Sequence, residues 1–263
     1  MKPLLYARGL AVRIGEVDVC RQLDLAVEPG QRWAILGKNG VGKSTLLTTL
    51  AGLRAADTGE LTLGESTLAV APAPTFQPSA PKSLACFRGL LAQQQSDPFP
   101  STVLETALVG RHPHLGRWDW ESAADRAIAH HALTALGLAG LAEREVHSLS
   151  GGERQRLAIA QLLTQEPKLF LLDEPLTHLD LAHQVAVMEL FRAKTAHDAA
   201  LIAVLHDPGF AVRYCDHALL LFGAGEWLSG ASREIITSDN LSRLYGYPLR
   251  ELRDGATRWF VPT

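Results

Sequence analysis

The chain of 263 residues is 47% apolar and 20% charged, an ordinary globular composition that excludes wholesale disorder and fibrous classes. Its formal net charge of −3 offers no broad cationic surface of the kind that grips nucleic acid. The apolar runs Ala199–Leu205 and Ala218–Phe222 fall far short of the roughly 20 residues that span a bilayer.

Arg8 interrupts the N-terminus before a signal-peptide core can form, so a soluble, unexported chain is expected. Cys20, Cys86 and Cys215 are scattered and form no C-x-x-C pair, as expected of thiols in a reducing compartment rather than a disulfide framework or zinc site. In chain order, residues 4–36 read as short strands: Leu23-x-Leu25-x-Val27 alternates, Glu28-Pro29-Gly30 turns, and Trp33–Leu36 is wholly apolar. A helix is predicted from Gly42 to about Gly52, and strand character returns over 61–69. Pro72, Pro74, Pro78 and Pro81 then exclude a regular element, which predicts a surface loop.

From about Gln93 to Ser148 the pattern is helical. Ser101 or Thr102 with Glu105 is a capping start, and Ala123–Leu138 reads as an amphipathic helix. Helices over 153–164, 181–195 and 210–214 then alternate with apolar strands at 168–172, 200–205 and 218–222. That alternation predicts an α/β fold with a mainly parallel sheet, interrupted by a helical lobe. The expected division is a core from 1–94 and 149–225, a helical subdomain over 95–148, and a C-terminal appendage over 226–263.

Gly37-Lys38-Asn39-Gly40-Val41-Gly42-Lys43-Ser44-Thr45 matches G-x-x-x-x-G-K-[ST], between an apolar strand and a helix. Its glycines let backbone N–H groups turn inward around phosphate oxygens, and the helix N-terminus adds a positive dipole end. Lys43 is placed for the β/γ-phosphates, and the Ser44 hydroxyl for a magnesium ion. Leu169–Leu172 runs directly into Asp173 and Glu174, carboxylates delivered to the C-terminal edge of a buried strand, where open α/β sheets bind ligands. Asp173 is placed to support magnesium and Glu174 to orient or deprotonate an attacking water.

Leu149-Ser150-Gly151-Gly152-Glu153-Arg154-Gln155-Arg156 opens a second helix with an anion-binding N-terminus. This run resembles the signature motif of the ATP-binding-cassette (ABC) ATPases, whose P-loop NTPase core carries an N-terminal antiparallel β subdomain and an inserted helical subdomain. The resemblance implies ATP and Mg2+ as cofactors and a head-to-tail homodimer. In it, Ser150, Gly151 and Gly152 of one copy close over the γ-phosphate held by the other. Gln93 resembles the Q-loop glutamine that senses magnesium and γ-phosphate; Gln94 and Gln95 are alternatives, and the count back from Thr102-Val103 favours Gln93. Asp180, in Thr177-His178-Leu179-Asp180, resembles the residue that reaches across the dimer, and His206 the switch histidine on the γ-phosphate.

One position departs from the family pattern. Where an aromatic usually stacks on adenine, Ile14 stands; it can pack on a base but has no π face, which implies weaker affinity or looser base selectivity. The stacking role does not pass to Tyr6.

Gly110-Arg111-His112-Pro113-His114, Glu174–Asp180 followed by Ala182-His183-Gln184, and the ending Arg258-Trp259-Phe260-Val261-Pro262 resemble cassettes of metal-chelate importers, for cobalamin, ferric siderophores or haem. Such a cassette works at the cytoplasmic face of the inner membrane, docked on two membrane-spanning permease subunits, with a solute-binding protein as indirect partner and no nucleic acid. The surface around Gln93 and 97–120 is then the expected docking face. His112 and His114 are read as loop residues rather than metal ligands, because Pro113 separates them. The rival reading is a soluble single-cassette ATPase of the iron-sulfur cluster assembly type. DNA-repair ATPases are excluded by the lack of coiled-coil arms, and two-cassette translation factors by length.

Overall fold

The structure is a computed structural model that describes residues 2–68, 82–93, 100–255 and 257–263. The first strands are β1 (Leu5–Ile14), β2 (Val17–Val27), β3 (Arg32–Gly37), β4 (Thr58–Leu63), β5 (Ser66–Leu68) and β6 (Arg88–Leu91). They are followed by β7 (Leu169–Asp173), β8 (Ala200–Val204), β9 (His217–Gly223), β10 (Glu226–Ala231), β11 (Leu249–Asp254) and β12 (Thr257–Pro262). The helices that position the site are α1 (Lys43–Leu50), α2 (Lys82–Phe87), α3 (Val103–Leu108), α4 (Ala123–Ala135), α5 (Gly151–Thr164), α6 (Leu181–Lys194) and α7 (Pro208–Tyr214). Two short ones, α8 (Ser232–Ile235) and α9 (Ser238–Tyr245), lie near the C-terminus. The proline-rich stretch, and the alternatives Gln94 and Gln95, lie outside the described residues.

The wholly apolar strands form a six-stranded sheet in the order β10-β9-β3-β8-β7-β6, parallel throughout except for β10. Alternate side chains leave on opposite faces, so both faces must be covered. Ile35, Leu171, Ile202 and Val204 pack with α1 and with the antiparallel sheet β2-β1-β4-β5, through Leu46, Leu47, Leu10 and Leu23. Leu36, Leu172, Leu201 and Ala203 pack with the other helices, including Leu157, Leu163 and Phe191. The α1 helix is therefore enclosed between two sheets, which fixes the loop in front of it.

Three elements depart from the sequence reading. The strand expected over 61–69 is split into β4 and β5, because Gly64, at φ +59°, lets the chain turn back so that Leu63 pairs with Ser66. The helix expected to reach Leu138 stops at Ala135, before Gly137 in the left-handed conformation. Residues 226–231, expected to open the C-terminal appendage, instead extend the core sheet as β10, antiparallel to β9. Trp227 pairs there with Leu221, and its Nε1–H donates to Arg21 O at 2.9 Å. Short-range pattern could not show that the chain folds back on its own preceding strand.

The helical lobe has no separate core. Leu104, Ala107, Leu133, Leu157 and Leu163 are continuous with Phe170 and Leu172 of the sheet, and α3 and α4 both pack on α5. Arg111 pins the junction: Nε donates to Asp125 at 2.8 Å, and Nη1 to Thr164 O at 3.1 Å and Glu166 at 2.9 Å. His114 Nε2 lies 2.8 Å from Gln165 O, and Cys86 Sγ donates to Pro113 O at 3.1 Å. The Gly110–His114 run is therefore glue between lobe and core. Among the described residues no group of three or more His, Cys, Asp or Glu side chains is placed to share a metal ion.

Asp125 is also the partner of Ser122, whose hydroxyl and N–H both donate to it at the start of α4. Those bonds, then the Arg111 guanidinium, hold its carboxyl down at about 2. A carboxyl depressed in the folded state stabilises it above the ordinary carboxylate range and loses that effect as pH falls toward about 2. Asp125→Ala is expected to lower the melting temperature by about 3–8 °C at pH 7. The difference should close as the medium is taken to about pH 2; equal melting of the two proteins at pH 7 would contradict the role of this pair.

Candidate nucleotide site

The loop 37–45 joins β3 to α1, and two of its glycines, Gly37 and Gly42, are dictated by contact. A Cβ at Gly42, at φ +99°, would lie 2.5 Å from Val19 Cγ2; one at Gly37 would lie 2.9 Å from Leu221 O. The loop is thus held against β2 and β9. Lys43 is only 5% exposed, and its ammonium donates to Gly37 O at 2.9 Å and Lys38 O at 3.0 Å. Burial lowers the pKa of this ammonium, opposed by the nearby carboxylates of Glu174 and Asp173.

Parallel register brings the remaining groups to the same sheet edge. Leu91 pairs with Leu172, Asp173 with Val204, and Val204 with Ile35. Gln93, Glu174 and His206 therefore follow their strands at matching depth, beside the loop after β3. Asp173 is buried and accepts a hydrogen bond from the Ser44 hydroxyl, while its Oδ1 has no partner. Burial is the larger effect and pushes its carboxyl above the usual range. Glu174 has a left-handed backbone, at φ +52°, a conformation a non-glycine residue keeps only when its surroundings impose it. Its Oε1 lies 2.8 Å from His206 Nε2.

The 150–152 run forms a different group. Ser150 caps α5, accepting from Glu153 N–H at 3.3 Å, and a Cβ at Gly152 would sit 3.0 Å from His178 O. The helix start is therefore packed on the Thr177–Asp180 loop. Asp180 caps α6 by accepting His183 N–H and Nδ1, both at 2.8 Å, which holds its carboxyl below the usual range. Two residues without an expected role hold this loop: Gln155 donates to Pro175 O at 3.0 Å and Gln184 to Leu179 O at 3.0 Å. Both glutamines lie on helix faces turned toward it, a placement that spacing alone does not reveal. Ile14 stands exposed at the end of β1 opposite Val17, and Tyr6 lies at the other end of the strand, between Ala26 and Thr62.

A buried loop lysine, a paired hydroxyl and carboxylate, and a Glu–His pair at one sheet edge define a nucleotide-binding phosphate-loop protein. The ABC transporter family model matches residues 20–177, and the chain belongs to that family. The hemin import ATP-binding protein HmuV of Burkholderia lata is 36% identical across 98% of this chain and 100% of its own length. The ferric enterobactin transport ATP-binding protein FepC of Escherichia coli K12 is 38% identical across 92% of this chain and 87% of its own. A metal-chelate type ABC transporter solved in an inward-facing conformation superposes with a TM-score of 0.83 at 31% identity, covering 100% of this chain and 98% of that one. The fold is that of the ABC ATPases, and the chain's reaction is ATP hydrolysis.

Proposed function

We propose that this chain is the ATP-hydrolysing subunit of an importer that takes up a metal chelate, with haem and ferric siderophores as the favoured cargo classes. The relatives named for hemin and ferric enterobactin support that cargo class over iron-sulfur cluster assembly. No described helix is long and apolar enough to cross a membrane, so the permease is taken to be two separate subunits, with a solute-binding protein acting upstream of them. The chain then works as a peripheral protein at the cytoplasmic face of the inner membrane. A groove of about 340 Å³, lined by Leu91, Gly110, Pro113, Ala158, Gln161 and Leu162, lies where the lobe meets the core. Its position beside Gln93 suits it to receive a short cytoplasmic helix of a permease subunit.

Two copies are proposed to close head to tail, with Ser150, Gly151 and Gly152 of one facing the γ-phosphate on the other's loop 37–45. Asp180 reaches across between the two pockets. The observation that carries the hydrolytic reading is the Glu174–His206 contact beside the buried Lys43. Lys43 and the loop N–H groups hold the phosphates. Glu174 then takes a proton from the attacking water, and His206, released from that carboxylate, turns to the γ-phosphate. Ser44 and Asp173, with its unpartnered oxygen, form a hard oxygen donor set that fits Mg2+, and Gln93 stands at the same edge. The ion supplies charge neutralisation on the β- and γ-phosphates.

Ser150→Arg tests the composite pocket. The variant is expected to bind ATP as a monomer but to lose ATP-dependent dimerisation and at least about 90% of hydrolysis, because a bulky cation fills the γ-phosphate position. ATP-dependent dimerisation at the parental concentration, measured by sedimentation, would overturn the two-copy arrangement.

A further inference from the structure

The start of α5 already holds an anion. Ser150 N–H and the Ser150 hydroxyl both donate to one carboxylate oxygen, Glu153 Oε2, each at 2.8 Å. The N–H of Glu153 returns to Ser150 Oγ at 3.3 Å, closing a reciprocal capping box. The hydroxyl proton assigned to a γ-phosphate is therefore committed to a side chain of its own helix. Those bonds to Ser150 hold the Glu153 carboxyl below its usual range, so it is charged at neutral pH.

The same device occurs elsewhere in the chain without a phosphate to meet. Thr102 N–H and hydroxyl donate to Glu105 Oε2 at 2.7 and 2.9 Å at the start of α3. The two boxes match in geometry and differ in where they stand. At α5, two glycines follow the cap and pack on the His178 loop: a Cβ at Gly151 would lie 3.7 Å from His178 Cβ and Cγ, and one at Gly152 3.0 Å from His178 O, so the helix start carries no side chain of its own at these two positions.

We infer that Glu153 is a positioning residue that sets the ATP concentration at which two cassettes close, by holding the Ser150 hydroxyl and opposing the incoming γ-phosphate. This inference rests on the two-copy reading above. When the phosphate arrives, the hydroxyl rotates its hydrogen from Glu153 to a phosphate oxygen, still accepting the Glu153 N–H. The Glu153 carboxylate keeps only the Ser150 N–H and remains beside the new anion. Closure therefore works against one like-charge contact for each pocket, which delays it until the nucleotide is abundant.

The test uses the full chain in the Glu174→Gln background, titrated with Mg-ATP and followed by sedimentation velocity. Glu153→Gln keeps acceptors for both Ser150 donors and removes only the charge. It is expected to lower the half-closing ATP concentration about three- to tenfold, with only a small drop in melting temperature, of about 1–4 °C, from the lost charge at the helix start. The equivalent Glu105→Gln should leave it within about twofold, since that box faces no phosphate. Raising the salt concentration should shrink the effect of Glu153→Gln, because screening weakens the repulsion it removes. An unchanged or higher half-closing concentration for Glu153→Gln, or an equal shift for Glu105→Gln, would overturn the inference and leave the two-copy reading intact. Failure of the Glu174→Gln chain to dimerise at any ATP concentration would instead overturn that reading, and the role of Glu153 with it.

Discussion

Glu174→Gln is expected to lower the turnover number for ATP hydrolysis about 10²- to 10⁴-fold, the usual contribution of a positioned general base. ATP affinity should stay within about threefold of parental, because, as proposed, loop 37–45 rather than this carboxylate holds the phosphates. The substitution keeps the size and hydrogen-bonding reach of the side chain and removes its ability to take a proton. The amide oxygen can still accept from His206 Nε2, so the strand end and its left-handed turn should persist. With binding intact and cleavage stopped, the closed two-copy state should accumulate with ATP. Steady-state hydrolysis with a nucleotide-binding titration measures both effects. Hydrolysis at the parental rate would remove Glu174 as the base.

Lys43→Ala is expected to weaken ATP binding about 10²-fold or more, roughly 2.7 kcal/mol, which is the loss of about one strong charge-assisted contact. The ammonium is held before any phosphate arrives, bonded to the carbonyls of Gly37 and Lys38 and within the electrostatic influence of the Glu174 and Asp173 carboxylates. That arrangement delivers a desolvated charge to one point, where it interacts more strongly than it could in water. Truncation also leaves two loop carbonyls without their donor, so some loss of thermal stability is expected alongside. Lys43→Arg separates the two effects: it keeps the charge and loses the fit to the loop, so its binding should fall as well, with a smaller change in melting. Calorimetric titration showing unchanged affinity in Lys43→Ala would contradict the phosphate-loop assignment.

The two substitutions probe different links in one chain of cause. With Lys43 proposed to act on binding and Glu174 on the step after it, the first substitution should raise the half-saturating ATP concentration and the second should lower turnover.

Contiguous sequence was enough to specify the phosphate loop, the strand that ends in Asp173 and Glu174, and the helix begun by Ser150. In each case the chemistry depends on residues within one turn or one strand end, where backbone geometry dictates spacing. The alternation of apolar strands with helices likewise determined the parallel sheet, because a strand buried on both faces must be apolar at every position. Contacts between residues far apart in the chain were decided only in three dimensions. Glu174 meets His206 because β7 and β8 are neighbours in register, and β10 closes onto β9 in the core sheet where a separate appendage was expected. Arg111 ties the lobe to the core because Asp125 of α4 and Glu166, just beyond the end of α5, converge on it. Local periodicity carries the preference of a segment for helix or strand. Which segments meet, and which charge ends beside which, depends on burying all the apolar faces at once, a condition that involves the whole chain.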